Sequence, residues 1–355
     1  MNYNKLIDLS RRTNFMTTKQ IVFTDFNKAE LLEKEVPNVG DNEVKVELEF
    51  SSISCGTEKA LVSGNQNINP NSIEGQEAKF PRASGYSSSG TVLEVGKNVT
   101  GLKKGDRVAL MWSNHKKINV IDERKVVKLS DNVSFREAAL FNIATFPLAA
   151  IRKTRLEVGE SLLVMGLGIL GLFGVHLAKA SGAAPVIAVD PIAERREKAL
   201  QFGADYALNP LDEDFAQKVK EITDGGVKVA IEVTGLGVGL NQALDCMARF
   251  GRVALLGCTR DKNFTIDYYR KVHGVGVELI GAHAMARPNF ESSPGLFTQL
   301  DDLKAMEKLC AYKRIDLLGM IDETFSPYDC TDVYLRLVEG KDFPVVSQFD
   351  WREVK

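Results

Sequence analysis

The segment from Leu162 to Asp190 constrains the fold more than any other. An apolar run, Leu162-Leu163-Val164-Met165, leads into Gly166-Leu167-Gly168-Ile169-Leu170-Gly171, and a helix-like stretch follows over Leu170–Ala180. The first glycine permits a tight strand-to-helix turn, the second lets the backbone approach a phosphate without a Cβ in the way, and the third allows close helix–strand packing. The helix N-terminus then stabilises negative charge. Such a pattern alone is weak. Here a second strand-like run, Pro185–Val189, ends in Asp190 about 20 residues past Gly171, where a carboxylate accepts hydrogen bonds from the ribose hydroxyls of a dinucleotide. Gly166, Gly168, Ile169, Leu170, Gly171 and Asp190 are therefore expected to bind a nicotinamide dinucleotide. Asp190 would repel a 2′-phosphate, which favours NAD(H) over NADP(H). Arg195 and Arg196 follow on the next helix; either can reach the adenine edge or a 2′-phosphate, and Arg196 reads equally well as a solvated helix start.

Around this unit the texture is α/β. Helix-like Ala193–Phe202 and strand-like Val227–Val233 and Gly251–Leu256 continue the alternation that builds a doubly wound parallel sheet. The first 140 or so residues are instead mostly β with turns: Gln20–Phe23, Glu43–Ile53, Gly90–Val95 and Asp106–Met111 read as strands, and Gly64–Ser72 as a polar loop. Ser134-Phe135-Arg136-Glu137 offers a capping box before a helical run through Phe141, and Asp301–Tyr312 reads as a late helix. A length of 355 residues suits two domains.

Several function classes are excluded. Lys and Arg (45) nearly balance Asp and Glu (47), with no basic stripe for a nucleic acid to track. The apolar stretch Ser161–Ala180 is accounted for by the glycine motif, so no membrane span is expected. The five cysteines form no C-x-x-C pair, and Met1–Lys19 lacks the apolar core of a secretory signal, so the expectation is a cytoplasmic protein acting on a small molecule.

Other segments resemble the medium-chain dehydrogenase/reductase superfamily of alcohol, sorbitol and threonine dehydrogenases over about residues 18–350. Cys55-Gly56-Thr57-Glu58 is similar to its C-G-[ST]-D, Gly85-Tyr86-Ser87 sits at its G-H-E, and Gly105-Asp106-Arg107-Val108 matches G-D-R-V. Gly203-Ala204-Asp205 and Gly251-Arg252-Val253 match further motifs. Within the superfamily the chain most resembles the subgroup of bacteriochlorophyllide-a dehydrogenase and sugar-linked oxidoreductases. The resemblance implies a GroES-like β-rich catalytic domain at 1–143 and 281–355, interrupted by a Rossmann domain at 144–280, in a homodimer or homotetramer. It also implies cofactor contacts at Thr145, Thr234, Gly257 and Ala282.

The departures matter most for chemistry. Zinc members hold the metal with Cys, His and a further Cys or Asp; here Cys55 remains, but Tyr86 replaces the His and Phe141 falls where the third ligand would lie. No metal is therefore expected. Hydride transfer to or from a secondary alcohol still needs a proton partner. The candidates are Tyr86, Thr57 at the family's relay hydroxyl, and His115, expected to orient the substrate or pass its proton outward. Lys59 is weighed as a cation lowering the Tyr86 pKa, and Cys55, Lys59, Phe141 and His283 as pocket residues. A zinc-free quinone or enoyl reductase and an inert NAD(H)-binding protein remain open as rivals.

Overall fold

The computed structural model describes residues 16–65, 77–259, 263–340 and 342–355. The expected loop Gly64–Ser72 and the segment Met1–Lys19 lie for the most part outside them. In chain order the first lobe runs β1 (Thr17–Asp25), β2 (Lys28–Glu35), β3 (Glu43–Ile53), α1 (Cys55–Val62), β4 (Arg82–Ala83), β5 (Ser87–Val95), β6 (Arg107–Met111), β7 (Ile118–Asp122) and β8 (Val126–Lys128). β3 shows the logic of this lobe: Val44, Val46, Leu48 and Phe50 are buried while the intervening Lys45, Glu47 and Glu49 stay partly exposed. A two-residue period thus gives the strand one core face. The short helix α1 was not foreseen, because Cys-Gly-Thr is a poor helix start. It forms where the Glu58 carboxylate reaches back and accepts from the Ser54 N–H at 2.8 Å.

Ser134 and Glu137 cap α2 (Phe135–Ala138) reciprocally, as expected. The helix does not run on through Phe141; it breaks, and α3 (Phe141–Lys153) starts there. The second lobe follows as β9 (Leu162–Met165), α4 (Ile169–Ala180), β10 (Val186–Val189), α5 (Ala193–Gln201), β11 (Tyr206–Leu208), α6 (Phe215–Ile222), β12 (Val227–Glu232), α7 (Gly237–Asp245), β13 (Met247–Leu255) and β14 (Glu278–Gly281). Its six strands are all parallel, in the order β11-β10-β9-β12-β13-β14. Every residue of β9 is buried, since Leu162 and Val164 join the core beneath α3 and α4 while Leu163 and Met165 join Phe215, Val219 and Leu240 on the other face.

After β14 the chain returns to the first lobe. α8 (Gln299–Ala311) packs on α3, and β15 (Glu323–Phe325), α9 (Cys330–Glu339) and β16 (Ser347–Asp350) follow. β16 pairs antiparallel with β3 through Ser347↔Ile53 and Phe349↔Ser51, so the first lobe's sheet is built from both ends of the chain. Among the described residues no helix is long and apolar enough to cross a membrane.

Candidate active site

The strand order of the parallel sheet reverses between β9 and β12, and ligands of such sheets bind in the crevice beyond the carboxyl ends of those strands. Gly166 turns there with φ +97°, in the left-handed region that favours glycine. A Cβ on Gly171 would stand 1.9 Å from the Gly166 carbonyl oxygen, so only glycine lets α4 start this close to the loop. At Gly168 an added Cβ would meet nothing within 4 Å, which leaves open space before the N–H groups of Ile169 and Leu170 at the start of α4. This cradle fits a pyrophosphate. Asp190 is almost fully buried, its Oδ2 accepting from the Leu167 N–H at 2.8 Å and its Oδ1 from the Ile192 N–H at 2.9 Å. Those amides aim the carboxylate and leave it lone pairs for ribose hydroxyls.

Arg195 lies 3.6 Å from Asp190 and is partly exposed, within reach of an adenosine. The Arg196 guanidinium instead donates to the carbonyls of Asp190 and Pro191 at 2.7 and 2.9 Å, which makes it a brace for the end of β10. On the far side of the switch point, the Thr234 hydroxyl bonds the buried Glu232, and its methyl would meet a Cβ on Gly166 at 2.9 Å. Gly257 packs against the same turn, 2.4 Å separating its hypothetical Cβ from Gly235 N. Thr145 is fully buried with its hydroxyl turned back to the Asn142 carbonyl at 2.7 Å, and Ala282, just past β14, is 1% exposed with its N–H donating to the Leu255 carbonyl at 3.0 Å, so both side chains are covered by the protein itself.

Opposite the crevice, Tyr86 stands at the head of β5. Its hydroxyl donates to Ser54 Oγ, and the Thr57 side chain is near enough to lower the pKa of the same phenol. Burial pushes the phenol well above its ordinary pKa, and the nearby Glu58 charge adds to this against the opposing effect of Ser54 and Thr57. Tyr86 is thus a neutral donor. Its ring sits among Trp112 and Phe146, with centroids 5.6 and 5.8 Å away. Ser54, Trp112 and Asn142, whose Nδ2 donates to the Tyr86 carbonyl at 2.6 Å, were not foreseen; the serine-rich run before Cys55 was the only sequence signal for the first.

The other candidates lie elsewhere. His115 is completely buried: Nε2 faces the Glu58 carboxylate at 3.1 Å and Nδ1 the Ser51 hydroxyl at 2.7 Å, so neither nitrogen is left for a substrate. It supports the site from behind. Lys59 directs its ammonium at the C-terminus of α9, 2.9 Å from where a Gly340 Cβ would be, because the helical turn of α1 points residues 57 and 59 to different sides. Lys59 is not among the groups that chiefly set the Tyr86 pKa. Phe141 has no exposed surface, since α3 is wedged between α4 and α8, and it belongs to the core rather than to a pocket. His283 is half-buried, which lowers its pKa, and its Nδ1 accepts from the Met285 N–H at 3.2 Å.

The residues present do not fit the zinc of the family. Burial, then the Glu58 charge, pushes the Cys55 thiol up to about 12, and its Sγ lies 3.7 Å from the carbonyl oxygens of Pro344 and Val345. A single cysteine with a phenol and a phenyl ring at the other two positions makes no ligand set. Among the described residues no group of three or more His, Cys, Asp or Glu side chains is placed to hold a metal ion.

A parallel dinucleotide-type sheet joined to a β lobe whose hydroxyl-bearing residues face it defines a two-lobe dehydrogenase. Residues 40–131 match the family model of the alcohol dehydrogenase GroES-like domain, and residues 170–293 that of the zinc-binding dehydrogenases. L-threonine 3-dehydrogenase of Pyrococcus horikoshii is 35% identical over 269 residues, spanning 68% of this chain and 75% of that protein. D-guloside 3-dehydrogenase of Shigella flexneri is 29% identical over 76% of this chain and 82% of its own length. In fold, the chain is similar to the crystal structure of 2R,3R-butanediol dehydrogenase from Bacillus subtilis, with a TM-score of 0.78 at 22% identity over 94% of this chain and 99% of that one. The chain belongs to the zinc-type medium-chain dehydrogenase/reductase family, and it is an oxidoreductase of the alcohol and polyol dehydrogenase-like kind.

Proposed function

We propose that this enzyme moves a hydride between NAD(H) and a secondary alcohol or ketone of a polar metabolite, such as a sugar, polyol or glycoside, without zinc. The observation that carries this reading is the cluster of three hydroxyls, Ser54, Thr57 and Tyr86, where the family's metal would be. The names of the threonine and guloside dehydrogenases among its relatives support a hydroxyl-bearing substrate.

Bound nicotinamide supplies the site that takes or gives the hydride. The start of α4 holds the pyrophosphate, and Asp190 takes the ribose hydroxyls while excluding a 2′-phosphate. In the reducing direction Tyr86 turns its O–H from Ser54 to the carbonyl oxygen and gives up its proton as the alkoxide forms. Ser54 and Thr57 then donate to the phenolate left behind, and Thr57, which is partly exposed, passes a proton back from solvent. Oxidation runs these steps in reverse.

The test is turnover by chelator-treated protein of verified metal content, following NADH and NADPH against sugars, polyols, ketones and enones. Cofactor binding alone would equally suit an inert NAD(H)-binding protein. Turnover of a hydroxyl substrate with NAD(H) and no zinc supports the proposal; activity that appears only with zinc, or only on enones, overturns it.

A further inference from the structure

Trp112 follows β6 with φ +59°, a left-handed conformation that a bulky residue adopts only where its surroundings enforce it. A closed circuit of hydrogen bonds does so. The Trp112 N–H donates to the Tyr86 carbonyl at 2.8 Å, and its indole Nε1 donates to Gln299 Oε1 at 2.8 Å. Gln299 Nε2 then donates to Asn142 Oδ1 at 2.6 Å, and Asn142 Nδ2 returns to the same Tyr86 carbonyl at 2.6 Å. Because an indole nitrogen is a donor only, it fixes which way both amides must face. The circuit ties the loop after β6 to the first turns of α3 and α8.

Trp112 nevertheless remains 41% exposed. Tyr86 and Phe146 back it at 5.6 and 6.2 Å between centroids, and Gln299 occupies its polar edge. What it presents outward is apolar ring surface beside the Tyr86 phenol. An open-chain polyol, which turns hydroxyls in every direction, gains little from such a surface. A six-membered sugar ring, with its hydroxyls directed outward, presents a face of axial C–H groups and does gain from it.

We propose that the Asn142–Gln299 brace holds Trp112 as a stacking platform for a cyclic substrate, a pyranoside rather than an open-chain polyol. This rests on the reading of Tyr86 as the group that meets the substrate. The platform can be read without turnover, because the chain has two tryptophans and the other, Trp351, is fully buried with its Nε1 on Ser51. Acrylamide therefore quenches Trp112 selectively. With NAD+ bound, methyl pyranosides of glucose, galactose, mannose and gulose are compared with sorbitol and mannitol at equal concentration. At least one pyranoside should lower the quenching constant about twofold and the open-chain polyols should not. Gln299→Leu should abolish the protection and raise KM for the protecting pyranoside about tenfold, while kcat and NADH affinity stay within about twofold. A structural role alone would move kcat and melting temperature together. Protection by no pyranoside, or equal protection by sorbitol, overturns the platform. Protection without turnover of any alcohol overturns hydride transfer and leaves the platform standing.

Discussion

Tyr86→Phe removes one oxygen from the site and leaves the rest of its packing in place. The ring still lies against Trp112 and Phe146, and the backbone carbonyl still accepts from Trp112 N and Asn142 Nδ2. The losses are the bond to Ser54 and the polar neighbour of Thr57. Ser54 is 4% exposed, so its hydroxyl loses a buried partner, at a cost of about 1–3 kcal/mol and a few degrees of melting temperature. Catalysis should suffer far more. A positioned proton donor contributes roughly 10²–10⁴ in rate, about 3–5 kcal/mol of barrier. The assay is kcat for ketone reduction at saturating NADH, with NADH affinity measured by fluorescence titration as the control. Because burial holds the phenol above its ordinary pKa, the unmodified enzyme should keep its reducing kcat across neutral pH and lose it only on the alkaline side, as Tyr86 ionises. A Phe variant with kcat within about threefold of the parent would refute the role of Tyr86. His115 could not then inherit it, since both its ring nitrogens are occupied and it has no exposed surface.

Three further outcomes can be measured directly. Asp190→Ala should narrow a preference for NADH over NADPH, because it removes both the ribose acceptor and the repulsion of a 2′-phosphate; isothermal titration with both cofactors checks it. Elemental analysis of purified protein should find well under one zinc per chain, and activity should survive chelation. Gly171→Ala would place a Cβ 1.9 Å from the Gly166 carbonyl oxygen, so the start of α4 must shift. That should cost about 1–3 kcal/mol of stability and weaken NADH binding about tenfold or more, read by thermal melting and titration.

What was legible in the sequence is what neighbours along the chain decide. The turn through Gly166, Gly168 and Gly171 and the strand ending at Asp190 each depend on a few consecutive residues, and β3 was bounded by its own alternation. The candidate site was legible only as segments. Similarity to a family assigned Tyr86 and Thr57 to one place, and Thr57 is near enough to influence the phenol. It could not tell which side of its helix Lys59 would take, nor that α3 would be buried along most of its length and carry Phe141 and Thr145 inside. The brace between Asn142 and Gln299 and the group around Glu58 join residues that tertiary packing alone brings together. Amides and carboxylates of this kind leave no periodic trace, because each stands alone in its own segment.

The pair behind the site gives the last test. Glu58 has no exposed surface, and its carboxylate accepts from Ser54 N, from the Tyr334 hydroxyl and from His115 Nε2. Burial by itself would raise its pKa, but the His115 charge and these donors outweigh burial and hold the pKa below the ordinary 4.5. A folded-state pKa below the unfolded one means stability that is fully present above the unfolded value and is lost as pH falls through the folded one. Glu58→Gln keeps the shape and an acceptor oxygen but removes the charge from a carboxylate that accepts from Ser54 N, Tyr334 and His115, which should cost about 1–3 kcal/mol near neutral pH. The gap in melting temperature between parent and variant should be widest at pH 7 and should shrink below about pH 4.5, as the parent progressively loses what the variant never had. A gap that stays constant from pH 7 to about pH 3.5 would show that folding does not lower the Glu58 pKa. The variant should also bring the alkaline loss of reducing activity to lower pH, because the Glu58 charge helps to keep Tyr86 protonated. An unmoved alkaline limb, with the stability effect intact, would confine Glu58 to holding the head of α1 in place.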